Sequence, residues 1–392
     1  MDDLPSNRVS DQDQSAPTDP LQVHSEALVA DLHCDTVLQM QRGYDIGCRH
    51  QNYHVDIPRL RDGGVDLVVM ATTVNPYNTA ETPFLQVNRQ LDVITRAVEK
   101  NKVDLVLCLN GDAAVQAKKH GKIGVILAVE GGHALEQDPA KLERLHHKGV
   151  RLLTIVHEQP TGWAVGWNET NENINGLTDL GREMIAELNR LGIIIDLSHS
   201  SPATGDAVAE CSRQPVVASH SCAYALCPHG RNVLDEQAKK IVASGGIIGV
   251  SFVSLFVSPE FGRVSTDFRQ RHAAATRKVD ALFVSEMNED DKVGESEPFR
   301  PLLDEFAGLV AAVHPTVADI ANHIDYFVNR LGIEHVAVGS DFDGMMFPPR
   351  GLENCSRLPN LTRELVRRGY RESHIRKILG GNFLKVFRQV CG

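Results

Sequence analysis

From Leu28 onward the chain alternates between short apolar runs and longer amphipathic stretches. The apolar runs are Leu28–Asp35, Val65–Thr73, Lys122–Glu130, Val150–His157, Gly192–His199, Pro215–His220, Gly246–Phe252 and His335–Asp341. Their length and Val/Ile/Leu content predict strands, and most of the intervening stretches, such as Leu177–Leu191 and Thr316–Leu331, carry helical periodicity. Eight βα repeats predict an α/β fold of the (β/α)8 TIM-barrel type, with its active site at the C-terminal strand ends. Val103–Leu109 also reads as a strand and would be a ninth, expected outside the barrel.

A barrel of this type needs about 250 residues, so a chain of 392 carries a surplus. Its largest part is 258–315, after the seventh barrel strand, with the charged run Asn288–Glu297 inside it. Lying after a strand's C-terminal end, this segment is expected on the active-site side, as a lid or a subunit contact compatible with a homodimer. A solvated charged loop is the plainer reading of the acidic run itself. Residues 1–22 have the Pro, Ser, Asp and Gln content of a disordered tail, which leaves 23–392 as one barrel domain.

Composition narrows the partners. A formal charge of -11 argues against electrostatic binding of nucleic acid or an anionic membrane and favours small-molecule chemistry. The eight cysteines show no C-x-x-C spacing, and several sit in apolar runs, so reduced core thiols and a cytoplasmic location are expected. The first twenty residues have neither a basic nor an apolar signal region, and no run approaches the roughly 18 apolar residues of a membrane span. A periplasmic or secreted location would require a leader already removed.

The strand ends carry the chemistry. His33 and Asp35, two apart in Asp31-Leu-His-Cys-Asp35, leave one face of an extended strand together. Glu130 ends GVILAVE, while His199, His220 and Asp341 close three further strands. Imidazole and carboxylate together suit zinc, and a carboxylate can bridge two ions about 3.5–4 Å apart. We assign His33 and Asp35 to one ion, His199 and His220 to a second, and Glu130 to both, with Gly131 and Gly132 leaving room at the backbone. Asp341 is the candidate acid/base. Asp343 competes for that role by period-two alternation, although a turn before Gly344 also suits it. His157, claimed by neither ion, could polarise a scissile carbonyl or simply pack. Arg231, in the loop Pro228–Asn232, offers a planar fork for a substrate carboxylate, although an exposed loop Arg can equally be only solvated. His54, His133, His146, His147 and His229 read as loop or helix residues.

Taken in order, Asp31-Leu-His-Cys-Asp35, Val129-Glu-Gly-Gly132, Leu153-Thr-Ile-Val-His157, Asp196-Leu-Ser-His199, Ser219-His-Ser221, Gly230-Arg-Asn232, Gly339-Ser-Asp-Phe-Asp-Gly344 and Gly380-Gly-Asn-Phe-Leu384 resemble the motifs of the membrane (renal) dipeptidase family, peptidase family M19 of the amidohydrolase superfamily. The similarity runs from about Leu28 to the C-terminus. It implies a (β/α)8 barrel with a binuclear zinc site that hydrolyses dipeptides, often accepting a D-residue at the C-terminal position. By motif, His33 and Asp35 match one zinc's ligands, Glu130 the bridge, and His199 and His220 the other zinc's ligands. Asp341 matches the acid/base, His157 the residue near the scissile carbonyl, and Arg231 the one near the substrate carboxylate.

Two departures stand out. Many relatives carry Asn-Phe-Tyr after the seventh strand, with a Tyr that helps bind the substrate carboxylate, where this chain has Ser251-Phe-Val-Ser254. The segment 258–315 is longer than the mammalian connection and resembles microbial relatives. The last residues, Phe387–Gly392, hold no apolar tail that would support a lipid anchor. The expected activity is zinc-dependent hydrolysis of dipeptides by a metal-bridging hydroxide. Hydrolysis of another amide or a lactone is the alternative within enzymes, and a non-catalytic peptide-binding barrel the alternative outside them.

Overall fold

The computed structural model describes residues 19–74, 80–158, 160–169, 174–284 and 297–392. Its sheet contains β1 (Ala30–Cys34), β2 (Leu67–Thr73), β3 (Leu105–Leu107), β4 (Ile123–Glu130), β5 (Val150–Thr154), β6 (Ile194–Asp196), β7 (Val216–Ala218), β8 (Ile247–Val250) and β9 (Val336–Val338). All neighbours are parallel, in the order β1-β2-β4-β5-β6-β7-β8-β9. The eight strands on this path form the expected TIM barrel. The ring closes between the ends of β9 and β1, where Asp341 N–H donates to the His33 carbonyl (3.0 Å) and Asp35 N–H to the Phe342 carbonyl (2.9 Å).

The ninth strand stands off the ring, as expected. β3 pairs only with the first residues of β4, Ile123–Val125, a stretch that β5 does not reach because its pairing starts at Leu127.

Alternation sorts the strand side chains into two layers. Leu67, Val69 and Ala71 of β2 and Ile126 and Ala128 of β4 fill the barrel together with Phe383 and Phe387. Val68 and Met70 face the surrounding helices instead. Phe383 and Phe387 belong to the C-terminal helix Asn382–Cys391, whose Asn382 amide donates to the Ile333 and Val336 carbonyls at the foot of β9. That helix therefore plugs the N-terminal mouth and leaves the opposite mouth for function.

β1 departs from simple alternation. Its register shifts between Asp31, opposite Val68, and Cys34, opposite Met70, so Leu32 and His33 share the single partner Val69. This bulge turns Cys34 out into the helix layer and leaves His33 and Asp35 to the open mouth. Other expected strands stop short of their ends: pairing finishes at Thr154, Asp196, Ala218 and Val338, not at His157, His199, His220 and Asp341. Those four side chains stand on the loops that follow.

The helix Pro20–Glu26 begins inside the stretch expected as tail, started by the Asp19 side chain and by proline at its first position. The rest of that tail, residues 1–18, lies outside the described residues, as does nearly all of the run Asn288–Glu297. The insertion 258–315 is largely helical where described: Pro259–Arg271, Ala273–Val284 and Arg300–Val310. Ser258 caps the first of these, and Phe261, Phe268, Phe306 and Val310 form a small core separate from the barrel. All eight cysteines are unpaired. Among the described residues no helix is long and apolar enough to cross a membrane.

Candidate active site

At the open mouth three imidazoles converge on one carboxylate oxygen. Glu130 Oε1 lies 3.1 Å from His199 Nε2, 3.4 Å from His220 Nε2 and 3.5 Å from His33 Nε2. Its other oxygen, Oε2, is 3.6 Å from His157 Nε2. The bottom of the cluster is set by register, since Glu130 pairs with Thr73 on one side and Thr154 on the other, and Thr154 with Asp196.

Asp196 shows how the neighbouring chain aims a ring. Fully buried, it accepts from Thr154 Oγ1 (2.7 Å), Ser198 N (3.0 Å), Ser219 N (2.8 Å) and Ser219 Oγ (2.6 Å). Ser219 has a single hydroxyl proton and gives it to this carboxylate, so toward His220 Nδ1, 2.8 Å away, it can only accept. His220 therefore carries its proton on Nδ1 and turns the Nε2 lone pair to the cluster. His199 and Asp341 are placed by the backbone itself, with left-handed φ of 66° and 67°. Both are non-glycine residues in a sparsely populated region, a form of strain that functional sites concentrate.

Asp35 and Asp341 approach from the closing seam. Asp35 Oδ1 is 3.7 Å from His33 Nε2, and ligand atoms of His33, Asp35 and Asp341 lie within 4.8 Å of one another. Gly344 is required beneath them: a Cβ there would stand 2.2 Å from Asp35 Oδ2 and 2.4 Å from Asp341 Oδ1. Gly131 and Gly132 have a different role from the one expected. The space they leave is taken by side chains, since a Cβ on Gly131 would meet His133 Cε1 at 2.3 Å and one on Gly132 would meet Trp163 at 2.3 Å.

The electrostatics are those of a crowded buried cluster. Burial pulls His33 down, but Glu130, Asp35 and Asp341 overcome it and hold its pKa up at about 10. Burial would raise Glu130, yet the surrounding imidazoles keep it well below the ordinary carboxylate value. Asp341 is pushed up to about 7, first by burial and further by Asp35 and Glu130, against the lowering influence of His33 and Arg231.

Arg231 is not the exposed loop residue that its sequence context allowed. It is only 4% exposed, its Nη2 donates to the His220 carbonyl (3.1 Å), and its guanidinium lies over Phe256. Its Nε and Nη1 have no hydrogen-bond partner among the described residues. Asp343 is occupied elsewhere, accepting from His54 N (2.7 Å) and Thr36 Oγ1 (2.7 Å), which fits a turn-forming residue.

Two residues at the site carry no strong sequence signal. Glu158 places Oε1 3.4 Å from His199 Nδ1; burial alone would raise it, but His199, His157 and Arg231 bring its pKa down to about 2. Its only advance mark is that it follows His157. His133 is buried beside Gly131 with neither ring nitrogen hydrogen-bonded among the described residues, and burial brings its pKa down to about 4. It lies just past the strand end, where the 3-10 turn Gly132–Leu135 returns it toward the cluster.

The donor set fits bound cations. Among the described residues, both ring nitrogens of His33 and one oxygen of Asp35 are buried without hydrogen-bond partners, and a mixed imidazole and carboxylate set of this kind is what zinc takes. Candidate ligand groups are His33, Glu130 and His220; Glu130, His157 and His199; and His33, Asp35 and Asp341.

The sequence matches the membrane dipeptidase family (peptidase family M19) over residues 19–391. It is 31% identical over 345 residues to the dipeptidase aclJ of Aspergillus oryzae, spanning 86% of this chain and 70% of that protein. In structure it is similar to the probable dipeptidase PvdM of Pseudomonas aeruginosa, with TM-score 0.78, 23% identity and coverage of 95% and 97% of the two chains. It is also similar to a metallopeptidase of Rhodobacter sphaeroides bound to a phosphinate mimic of L-Ala-D-Ala, with TM-score 0.72, 24% identity and coverage of 93% and 99%. At these identities the two structures speak to the fold alone.

Proposed function

Because the chain belongs to the membrane dipeptidase family, peptidase family M19, we propose that it is a binuclear zinc dipeptidase whose bridging ligand is Glu130. The observation that carries this reading is the convergence of His33, His199 and His220 Nε2 on one oxygen of Glu130 within 3.5 Å. His33 and Asp35 would hold one ion and His199 and His220 the other, with Glu130 shared. Bound there, two zinc ions would supply Lewis acidity and would lower the pKa of a water toward neutrality.

The rest is done by side chains. Arg231 offers Nε and Nη1 to the C-terminal carboxylate of a dipeptide, with its third nitrogen held by the His220 carbonyl. His157, whose Nδ1 is 3.4 Å from Thr73 Oγ1, turns Nε2 into the site and donates to the carbonyl oxygen as charge develops on it. Asp341 takes the proton of the attacking water and returns it to the departing amine, as a carboxylate beside the reacting carbonyl can. Residues 23–392 act as one hydrolase domain, with 258–315 as an insertion that is helical over Pro259–Arg271, Ala273–Val284 and Arg300–Val310. The unpaired cysteines are consistent with a reducing, cytoplasmic setting.

The test is to strip the protein with a chelator, restore zinc, and assay dipeptides beside N-acyl amino acids and lactones. Zinc-dependent turnover of dipeptides supports the proposal. Turnover of lactones with none of any dipeptide overturns it.

A further inference from the structure

We propose that the insertion builds a pocket for a bulky apolar side chain on the C-terminal residue of the substrate, a specificity that rests on the dipeptidase reading above. Between the insertion and the loop after β9 lies a cavity of about 330 Å³, in the range of small-ligand sites. Phe261, Phe268 and Leu302 line it from the insertion, and Val253, Met345 and Phe347 from the barrel side. Among the described residues the one charged side chain on its wall is Arg269, which is exposed.

Two adjacencies point to the part of a substrate that would enter. Gly344 is on the cavity wall, and the carboxylates of Asp35 and Asp341 stand directly against that glycine. The short helix Ser254–Val257 also serves both places: Ser254 and Leu255 line the cavity, while Phe256 lies under the Arg231 guanidinium. Asp341 is the group that meets the leaving amine, and Arg231 the group that meets the carboxylate. Both belong to the C-terminal residue of a dipeptide, so the side chain between them is the one nearest the cavity. An apolar wall of this size rewards added carbon atoms there and gives nothing to a charged side chain.

The test measures kcat/KM of the zinc-loaded protein on Ala-Gly, Ala-Leu, Ala-Phe and Ala-Glu, in L and D series. The expected result is a rise of about tenfold or more from Ala-Gly to Ala-Leu or Ala-Phe in at least one series. Ser265→Leu, which fills the cavity from the helix Pro259–Arg271, should remove that rise while leaving Ala-Gly within about twofold. Leu302→Ala, which enlarges the cavity, should move the optimum toward the larger side chain. A flat series, a preference for Ala-Glu, or a Ser265→Leu effect equal on all substrates of a folded protein overturns the pocket. If Ser265→Leu fails to fold, an unchanged ranking in Leu302→Ala overturns it alone. Absence of turnover on every dipeptide, Ala-Gly included, overturns both the pocket and the dipeptidase reading, whereas a flat series with good Ala-Gly turnover overturns the pocket only.

Discussion

Asp341 donates its backbone N–H to the carbonyl of His33 at 3.0 Å, so the residue assigned to move the proton and a residue of the Glu130 cluster are tied by the bond that closes the barrel. The seam is reinforced by Asp31, whose carboxylate accepts from Ser340 N at 2.7 Å. Closure of the fold and assembly of the site are thus one event at this end of the sheet. Any change that loosens the seam moves both groups together.

Asp341→Asn should keep its bound zinc and lose about 10²- to 10⁴-fold in kcat, as removal of a general acid/base does. Metal content and single-turnover rates measure the two separately; full turnover in a metal-replete variant would remove Asp341 from the mechanism. The same variant makes a pH prediction for the metal-free protein. There burial raises the Asp341 pKa from 3.8 to about 7, so the folded state binds this proton more tightly than the unfolded chain. Its stabilising contribution is complete below about pH 4 and is lost as the pH climbs to about 7. Metal-free Asp341→Asn should therefore melt near the parent at pH 4 and above it at pH 8. A gap in Tm independent of pH would contradict this assignment.

Arg231→Ala should weaken recognition of the free carboxylate more than catalysis itself. We expect kcat/KM for a dipeptide to fall about 10- to 100-fold, with its C-terminal amide little changed, because only the carboxylate gains charged hydrogen bonds from the fork. Equal losses on acid and amide would make Arg231 a structural support for His220.

Asp196→Asn tests the aim of His220. Replacing one carboxylate oxygen by an NH₂ group turns a donor toward groups that are themselves donating, at a fully buried position. A stability loss of about 2–4 kcal/mol and a zinc affinity lower by about 10- to 100-fold are expected. Chemical denaturation and competition with a chromophoric chelator measure them. Unchanged zinc affinity would mean that the Ser219 link does not set the ring.

Much of this architecture was legible in the alternation of apolar runs, because burial on both strand faces writes itself directly into the sequence. The ring, a ninth strand outside it and the His, Glu and Asp residues at one end all follow from it, whereas the pairing of that strand with β4 does not. What the pattern could not convey was local backbone geometry. A bulge lets Leu32 and His33 share one partner, and left-handed residues at His199, Asp341 and Asp343 take those side chains out of any two-residue alternation. Asp343 is the instructive case: extrapolated along a strand it shares a face with Asp341, yet it is engaged by His54 and Thr36. The buried setting of Arg231 and the contact of Glu158 with His199 were hidden for another reason, since both depend on loops meeting across the mouth. The glycines after Glu130 were visible, but the side chains filling their space were not.

The most direct measurement is a count and location of metal ions in the purified protein, by elemental analysis together with an anomalous-scattering map, for the parent and for Glu130→Gln. The account predicts two ions on either side of the Glu130 carboxylate in the parent, and loss of at least one with at least about a thousandfold drop in activity in the variant. Ions bound away from Glu130, or a Glu130→Gln protein that keeps both ions and full turnover, would contradict it.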